Sequence, residues 1–256
     1  MITISHVSKR FKKLQALNDV SAVFDKGQVI SLIGPNASGK TTLIKSILGI
    51  VRPDSGEIHV NNKRVADNPA YRSDVGYMPQ IGRYPDNMKV GQLFEMMKKI
   101  RNMSDSAIDT ELLESFNIQN IFNKPMRTLS GGTRQKISAA LAFLFSPSIL
   151  ILDEPTAGLD PLSSEILKEK ITAEKKKNKL VLITSHVLSD LDELTTHIMY
   201  LQEGKLQFLK DLSTLQEETG EIKLSKAIAR VMRGYEPRAL QVDKLLAVQA
   251  VYEHSK

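Results

Sequence analysis

Val29-Ile30-Ser31-Leu32-Ile33-Gly34-Pro35-Asn36-Ala37-Ser38-Gly39-Lys40-Thr41 is the stretch that decides the architecture of this chain. A continuous apolar run leads into G-x-x-x-x-G-K-[ST], the phosphate loop, so the stretch reads as strand, tight turn and helix start. The glycines let successive N–H groups turn inward, and the positive end of the following helix favours an anion. Lys40 is placed to reach the β- and γ-phosphates of a nucleotide, and the Thr41 hydroxyl to ligate Mg²⁺. The reading is a nucleotide-binding ATPase or GTPase. Its rival, a glycine-rich turn that merely caps a helix, is disfavoured by the strand before and the helix after.

Working outward, Ile149 to Leu152 and Leu180 to Thr184 are again continuous apolar runs, the pattern of parallel strands covered on both faces. Ile2 to Ile4, Val20 to Phe24 and Glu57 to Val60 read as short strands of a small antiparallel layer. Val90, Leu93, Phe94 and Met97 recur at helical spacing, as do Ile108, Leu112 and Phe116, so residues 86–142 form a helical insertion. After Phe208 the pattern returns at Leu224, Ala227, Ile228, Val231 and Met232, then at Val242, Leu245, Val248 and Tyr252. Gly220 and Gly234-Tyr235-Glu236-Pro237 divide this tail into short helices. The expected division is an α/β core of residues 1–85 with 143–208, a helical segment 86–142, and a C-terminal helical extension 209–256 that is separable from nucleotide binding.

The 256 residues carry a net charge of +6, with basic groups scattered among acidic ones except at Lys175-Lys176-Lys177, which reads as a solvated helix end rather than a nucleic-acid patch. With only 5% aromatic residues there is no stacking platform for single strands, so no nucleic-acid partner is expected. The chain has no cysteine, which excludes disulfides and thiolate metal sites and suits the cytosol. Its most apolar region, Ala139 to Leu152, is broken at Ser146-Pro147-Ser148 and is too short to cross a bilayer.

A phosphate loop alone leaves kinases, GTPases and many ATPases open, so the acidic end of the next apolar strand carries weight. Ile149-Leu150-Ile151-Leu152-Asp153-Glu154-Pro155 buries four aliphatic residues and then sets two carboxylates at the strand's carboxyl end, which is costly without a cation or a proton to manage. Asp153 is suited to hold Mg²⁺ through water, and Glu154 to polarise the water that attacks the γ-phosphate. Upstream, Leu129-Ser130-Gly131-Gly132-Thr133 offers an N-cap serine and two glycines at a helix start. By itself that is a common turn.

Together these motifs make residues 1 to about 208 resemble the ATP-binding cassette family. The resemblance also rests on Val75-Gly76-Tyr77-Met78-Pro79-Gln80 (the glutamine loop), Ala157-Gly158-Leu159-Asp160 (the aspartate loop) and Thr184-Ser185-His186 (the switch histidine). It implies a P-loop cassette fold: a mixed core sheet, an antiparallel β layer and a helical subdomain. It implies that Gly34 to Thr42 bind ATP, that Phe11 stacks on adenine unless it is simply a core phenylalanine, and that Gln80 touches Mg²⁺ and the attacking water. His186 is then a γ-phosphate contact, Asp160 lies at a dimer seam, and Ser130, Gly131, Gly132 and Thr133 grip the ATP of the opposite subunit. The implied assembly is a homodimer on the cytoplasmic face of a membrane, bound to integral permease subunits and served by a periplasmic accessory protein. Two departures are visible: Thr133 replaces the glutamine common in the signature, and Ala37 a frequent glycine in the phosphate loop. Soluble cassettes that act on nucleic acid or ribosomes form the rival class, but they bring long coiled coils or tandem cassettes. Residues 157–194 further resemble the cassette of the copper-processing transporter that serves nitrous oxide reductase maturation. Exporters of drugs, lipids or polysaccharide share the same general layout.

Overall fold

The computed structural model describes residues 1–233. The expected apolar positions Val242, Leu245, Val248 and Tyr252, and the punctuation at residues 234–237, lie outside them. The chain opens with β1 (Ile2–Phe11), β2 (Leu14–Phe24) and β3 (Val29–Ile33), followed by α1 (Lys40–Ile47), β4 (Ser55–Val60), β5 (Lys63–Arg64) and β6 (Val75–Met78). The helical stretch holds α2 (Val90–Arg101), α3 (Glu111–Ser115) and α4 (Gly131–Phe143). Thereafter come β7 (Ile149–Asp153), α5 (Pro161–Lys176), β8 (Leu180–Thr184), β9 (His197–Gln202), β10 (Lys205–Asp211), α6 (Leu212–Thr219) and α7 (Leu224–Met232).

Two sheets result. β2-β1-β4-β5 form an antiparallel layer, and β10-β9-β3-β8-β7-β6 form a mixed sheet in which only β10 runs antiparallel to its neighbour. The continuous apolar runs are explained by what covers each face. Val29, Leu150, Leu152, Val181 and Ile183 point into one core beneath the helical segment. Ile30, Leu32, Ile149, Ile151, Leu180 and Leu182 point into a second core shared with α1 and the antiparallel layer. Alternation persists in direction, but both directions are dry. Ser31 is the polar exception inside β3, and its hydroxyl is satisfied by that of Thr195 at 2.6 Å.

β1 and β2 are longer than the apolar alternation predicts. Register shifts between Ile4 and Val7, and again before Lys9 and Arg10, break the two-residue period, and His6 and Asp19 take positive φ there. In the helical segment α2 carries Val90, Leu93 and Phe94 into the core as the spacing requires. α3 is shorter than expected: Ile108 and Phe116 flank it and pack against the core from outside the helix.

The boundary at residue 208 also needs revision, because it falls inside β10. Leu215, Leu224, Ala227 and Ile228 beyond it are buried in the same core as Leu150 and Ile183. Burying each of the larger three is worth about 1.5–3 kcal/mol, a sum comparable with the net stability of a whole domain. Up to Arg233, therefore, the extension is part of the folded core, and a cut after Phe208 removes half an edge strand and two core helices.

One buried charge ties the helical segment to the rest. Lys170 of α5 is 1% exposed, and its Nζ meets Asp109 Oδ2 at 2.6 Å, Glu111 Oε2 at 2.5 Å and Glu174 Oε1 at 3.2 Å. Burial alone pushes the Glu174 carboxyl up, yet the ammonium groups of Lys177, Lys179 and Lys170 bring it down to about 2. Lys170→Met leaves Asp109 facing an apolar chain while Glu174 keeps Lys177 and Lys179, and breaking a buried pair from one side costs about 3–5 kcal/mol. Urea unfolding at neutral pH measures it; a loss under 1 kcal/mol would show that the network is solvated. Because the Glu174 carboxyl is depressed from 4.5 in the folded state, its contribution is complete above that pH. It is lost as the pH falls toward about 2.

Candidate nucleotide site

Four motif-bearing loops leave the same edge of the mixed sheet. β3 feeds the phosphate loop, β8 feeds Ser185-His186, β7 ends at Asp153 with Glu154 next, and β6 feeds Pro79-Gln80. These strands are consecutive in the sheet order β3-β8-β7-β6, so parallel pairing sets loops far apart in sequence side by side at the carboxyl ends. They surround a cleft of about 280 Å³ lined by Phe11, Asn36 to Thr42, Gln80, Asp153, Glu154 and His186, with Leu14, Ala16 and Thr184.

The phosphate loop is closed on its own backbone. Lys40 Nζ donates to the carbonyls of Gly34 at 2.6 Å and Pro35 at 3.0 Å, which places those two residues beneath the ammonium. Burial pushes the Lys40 ammonium down, and Glu154 and Asp153 pull it back up. Gly39 has φ +108°, and a Cβ there would stand 2.5 Å from the carbonyl oxygen of Ala16, so only glycine fits this close approach. Ala37 takes φ +63°, a region in which an L-residue with a Cβ pays about 1–2 kcal/mol. The Ser38 hydroxyl is buried without a partner among the described residues, as expected of a polar group reserved for a ligand.

At the acidic end, Thr184 Oγ1 donates to Asp153 Oδ1 at 2.5 Å. The Glu154 N–H reaches both the carbonyl and the hydroxyl of Thr184, each at 3.1 Å. Glu154 itself has φ +54° and is 7% exposed. Its carboxylate accepts from the His186 N–H at 3.0 Å and faces His186 Nε2 at 3.4 Å, so these two side chains are directly coupled. Asp153 also pushes the Tyr77 phenol, already raised by burial, up to about 12. Phe11 is 45% exposed at the cleft mouth rather than in the core, and the Lys9 ammonium lies 5.4 Å from its ring centroid.

The other sequence-predicted residues lie off this cleft. Ser130 caps α4, accepting from the Thr133 N–H at 3.2 Å and sharing a 2.8 Å hydroxyl contact with Thr133 Oγ1. The unusual Thr133 is thus engaged with the signature serine itself. Gly131 is exposed, with nothing within 4 Å of where a Cβ would stand, whereas Gly132 faces the Gly158 carbonyl oxygen at 2.7 Å from that point. α4 starts at Gly131 and ends at Phe143, a little earlier at both ends than the run Arg134 to Phe145 predicts. Asp160 caps α5 through the Ser163 N–H and hydroxyl, and pairs with Lys136 of α4 at 2.8 Å. Those contacts, Lys136 foremost, hold its carboxyl well below the usual range. Thr184 was missed as a site residue; its signal was a hydroxyl ending an otherwise aliphatic strand.

Mg²⁺ fits this donor set. Thr41, Gln80 and Asp153 present hard oxygens to one cleft, and Asp153 keeps one carboxylate oxygen clear of Thr184. No group of three or more His, Cys, Asp or Glu among the described residues is arranged to hold a metal alone. That suits an ion shared with substrate phosphates and water.

Comparison with known proteins agrees with this geometry. The profile of the family described as ABC transporter matches residues 17–157, more than half of the chain. The chain is similar to the ABC transporter ATP-binding protein YtrB of Bacillus subtilis (strain 168), with 31% identity over 226 residues, 88% of this chain and 77% of that protein. It is similar to the lantibiotic transport ATP-binding protein SrtF of Streptococcus pyogenes, with 34% identity over 214 residues, 82% of this chain and 91% of that one. A solved ATP-binding subunit of an ABC transporter has a TM-score of 0.85 at 26% identity, covering 91% of this chain and 99% of the other. With the phosphate loop, the acidic strand end and the histidine loop gathered at one sheet edge, the chain belongs to the ABC transporter family as an ATP-binding, ATP-hydrolysing subunit.

Proposed function

We propose that two copies of this chain close face to face on two ATP molecules and drive permease subunits in a membrane. The observation that carries this reading is the split of the motifs. The cleft collects the phosphate loop, Gln80, Asp153, Glu154 and His186, while Ser130 and Gly131 stand exposed elsewhere, so one chain supplies half of each composite site. Phe11 would stack on adenine, Lys40 and the loop N–H groups would hold the phosphates, and Glu154 would orient the water with His186 beside it. Thr41, Gln80 and Asp153 would hold Mg²⁺, which supplies charge neutralisation at the β- and γ-phosphates. Asp160 would face its symmetry mate across the seam.

No described helix is long and apolar enough to cross a membrane; on this reading permease subunits hold the chain there. A groove of about 510 Å³ between the strand leading to Gln80 and α4, lined by Tyr77, Tyr84, Met97, Leu141 and Phe145, offers the permease an apolar seat next to the glutamine loop. On this reading the chain works at the cytoplasmic face of the membrane.

For the cargo, we propose copper or sulfur supply for nitrous oxide reductase maturation, with a periplasmic accessory protein as a further partner, supported by the resemblance of residues 157–194. Export of a drug, lipid or polysaccharide is the second reading, favoured by the similarity to a lantibiotic transport subunit. Co-purification of the membrane partner, together with the copper content of the reductase in a deletion strain of a denitrifying host, tests the choice. A fully metallated, active reductase in that strain would move the assignment to export.

A further inference from the structure

His186 sits on an irregular segment between β8 and β9 whose one regular piece is a 3₁₀ turn, Leu188–Asp190. Its side chain is 58% exposed, and Glu154 is its polar contact. A catalytic histidine on such a loop needs a second tether, since a misplacement of about 1 Å can cost ~10²-fold in rate. Asp190, four residues on, supplies one. Its Oδ2 accepts from the Thr156 hydroxyl at 2.9 Å, and its Oδ1 faces Lys168 Nζ of α5 at 3.3 Å. Thr156 follows Glu154 by two residues.

The two loops therefore touch twice, at Glu154 with His186 and at Thr156 with Asp190, and the short backbone stretches between those contacts close a ring. Behind it, Leu191 and Leu194 are buried, and Asp192 Oδ1 accepts from the Leu224 N–H at the start of α7 at 3.0 Å. The ring thus stands on a fixed base.

We infer that Asp190 and Thr156 form a positioning pair that fixes His186 and Glu154 relative to each other, a role that rests on the reading of those two residues given above. It acts on the rate and not on nucleotide affinity, because neither residue lines the cleft. In steady-state ATP hydrolysis by the full chain, Thr156→Val and Asp190→Ala are each expected to lower kcat roughly 10- to 100-fold. KM for ATP should stay within about twofold. Thr156→Ser, which keeps the hydroxyl, should restore turnover, and the double variant should be no slower than the worse single one, as for groups that act as a unit. Thermal melts of all four variants are run alongside, so that a loss of rate at unchanged melting temperature separates positioning from unfolding. If Thr156→Ser is as slow as Thr156→Val, or if KM rises together with the loss of kcat, the pair is structural and the inference is overturned. His186→Ala in the same assay separates the two levels. Should it leave turnover unchanged, the reading of His186 falls and the pair's role falls with it; should it slow turnover while Asp190→Ala and Thr156→Val do not, only the pair is refuted.

Discussion

Glu154→Gln is expected to slow ATP hydrolysis roughly 10²–10⁴-fold while leaving nucleotide affinity intact. The amide keeps the shape of the side chain and its contact with the His186 N–H, but it cannot take charge from an attacking water. The phosphate loop, which supplies the binding contacts, is untouched by the change. On the proposed dimer, hydrolysis removes the γ-phosphate that bridges two chains, so the variant should also accumulate as an ATP-bound dimer. Phosphate release, read beside size-exclusion chromatography in saturating ATP, tests both parts. A variant that turns over at the wild-type rate would remove Glu154 from its assigned role, and a monomer in saturating ATP would remove the dimeric one.

Lys40→Ala is expected to weaken ATP binding about 10²-fold or more, since hydrogen bonds from a charged group are worth about 1.5–3 kcal/mol each and the ammonium can make more than one. The geometry sharpens this expectation. Lys40 already donates to the carbonyls of Gly34 and Pro35, so its charge is held at the loop rather than free in solvent. Burial lowers its proton affinity, but Glu154 and Asp153 oppose that and favour the charged form. Titration with a fluorescent ATP analogue measures the loss. Unchanged affinity would mean that the loop is a structural turn.

Much of the site was legible because each motif is local and its chemistry needs fixed spacing. Gly34 to Thr41, Asp153-Glu154 and Ser130 as an N-cap can all be read within a few residues, and the apolar runs before them reveal which strands are covered on both faces. What stayed hidden depends on pairing at long range. Lys170 meets Asp109 across 61 residues of sequence, and Thr156 meets Asp190 across 34, with no local pattern at either end. β9 and most of β10 lie inside the expected core, 143–208, yet neither stood out as a strand; β10 is at the sheet edge, where Lys205, Gln207 and Asp211 interrupt its apolar positions, and its last three residues crossed the expected boundary. The bulges in β1 and β2 concealed their length for the same kind of reason: an extra residue resets the alternation that sequence reading relies on.

The alanine in the phosphate loop has a consequence for when the cost of ordering is met. A glycine at position 37 would adopt the required positive φ without strain, but it would also wander through many other shapes before a nucleotide arrived. The methyl group of Ala37 prohibits most of those shapes and charges the strain to folding instead, where the whole cooperative structure absorbs it. Nucleotide capture then starts from a loop with less freedom to surrender.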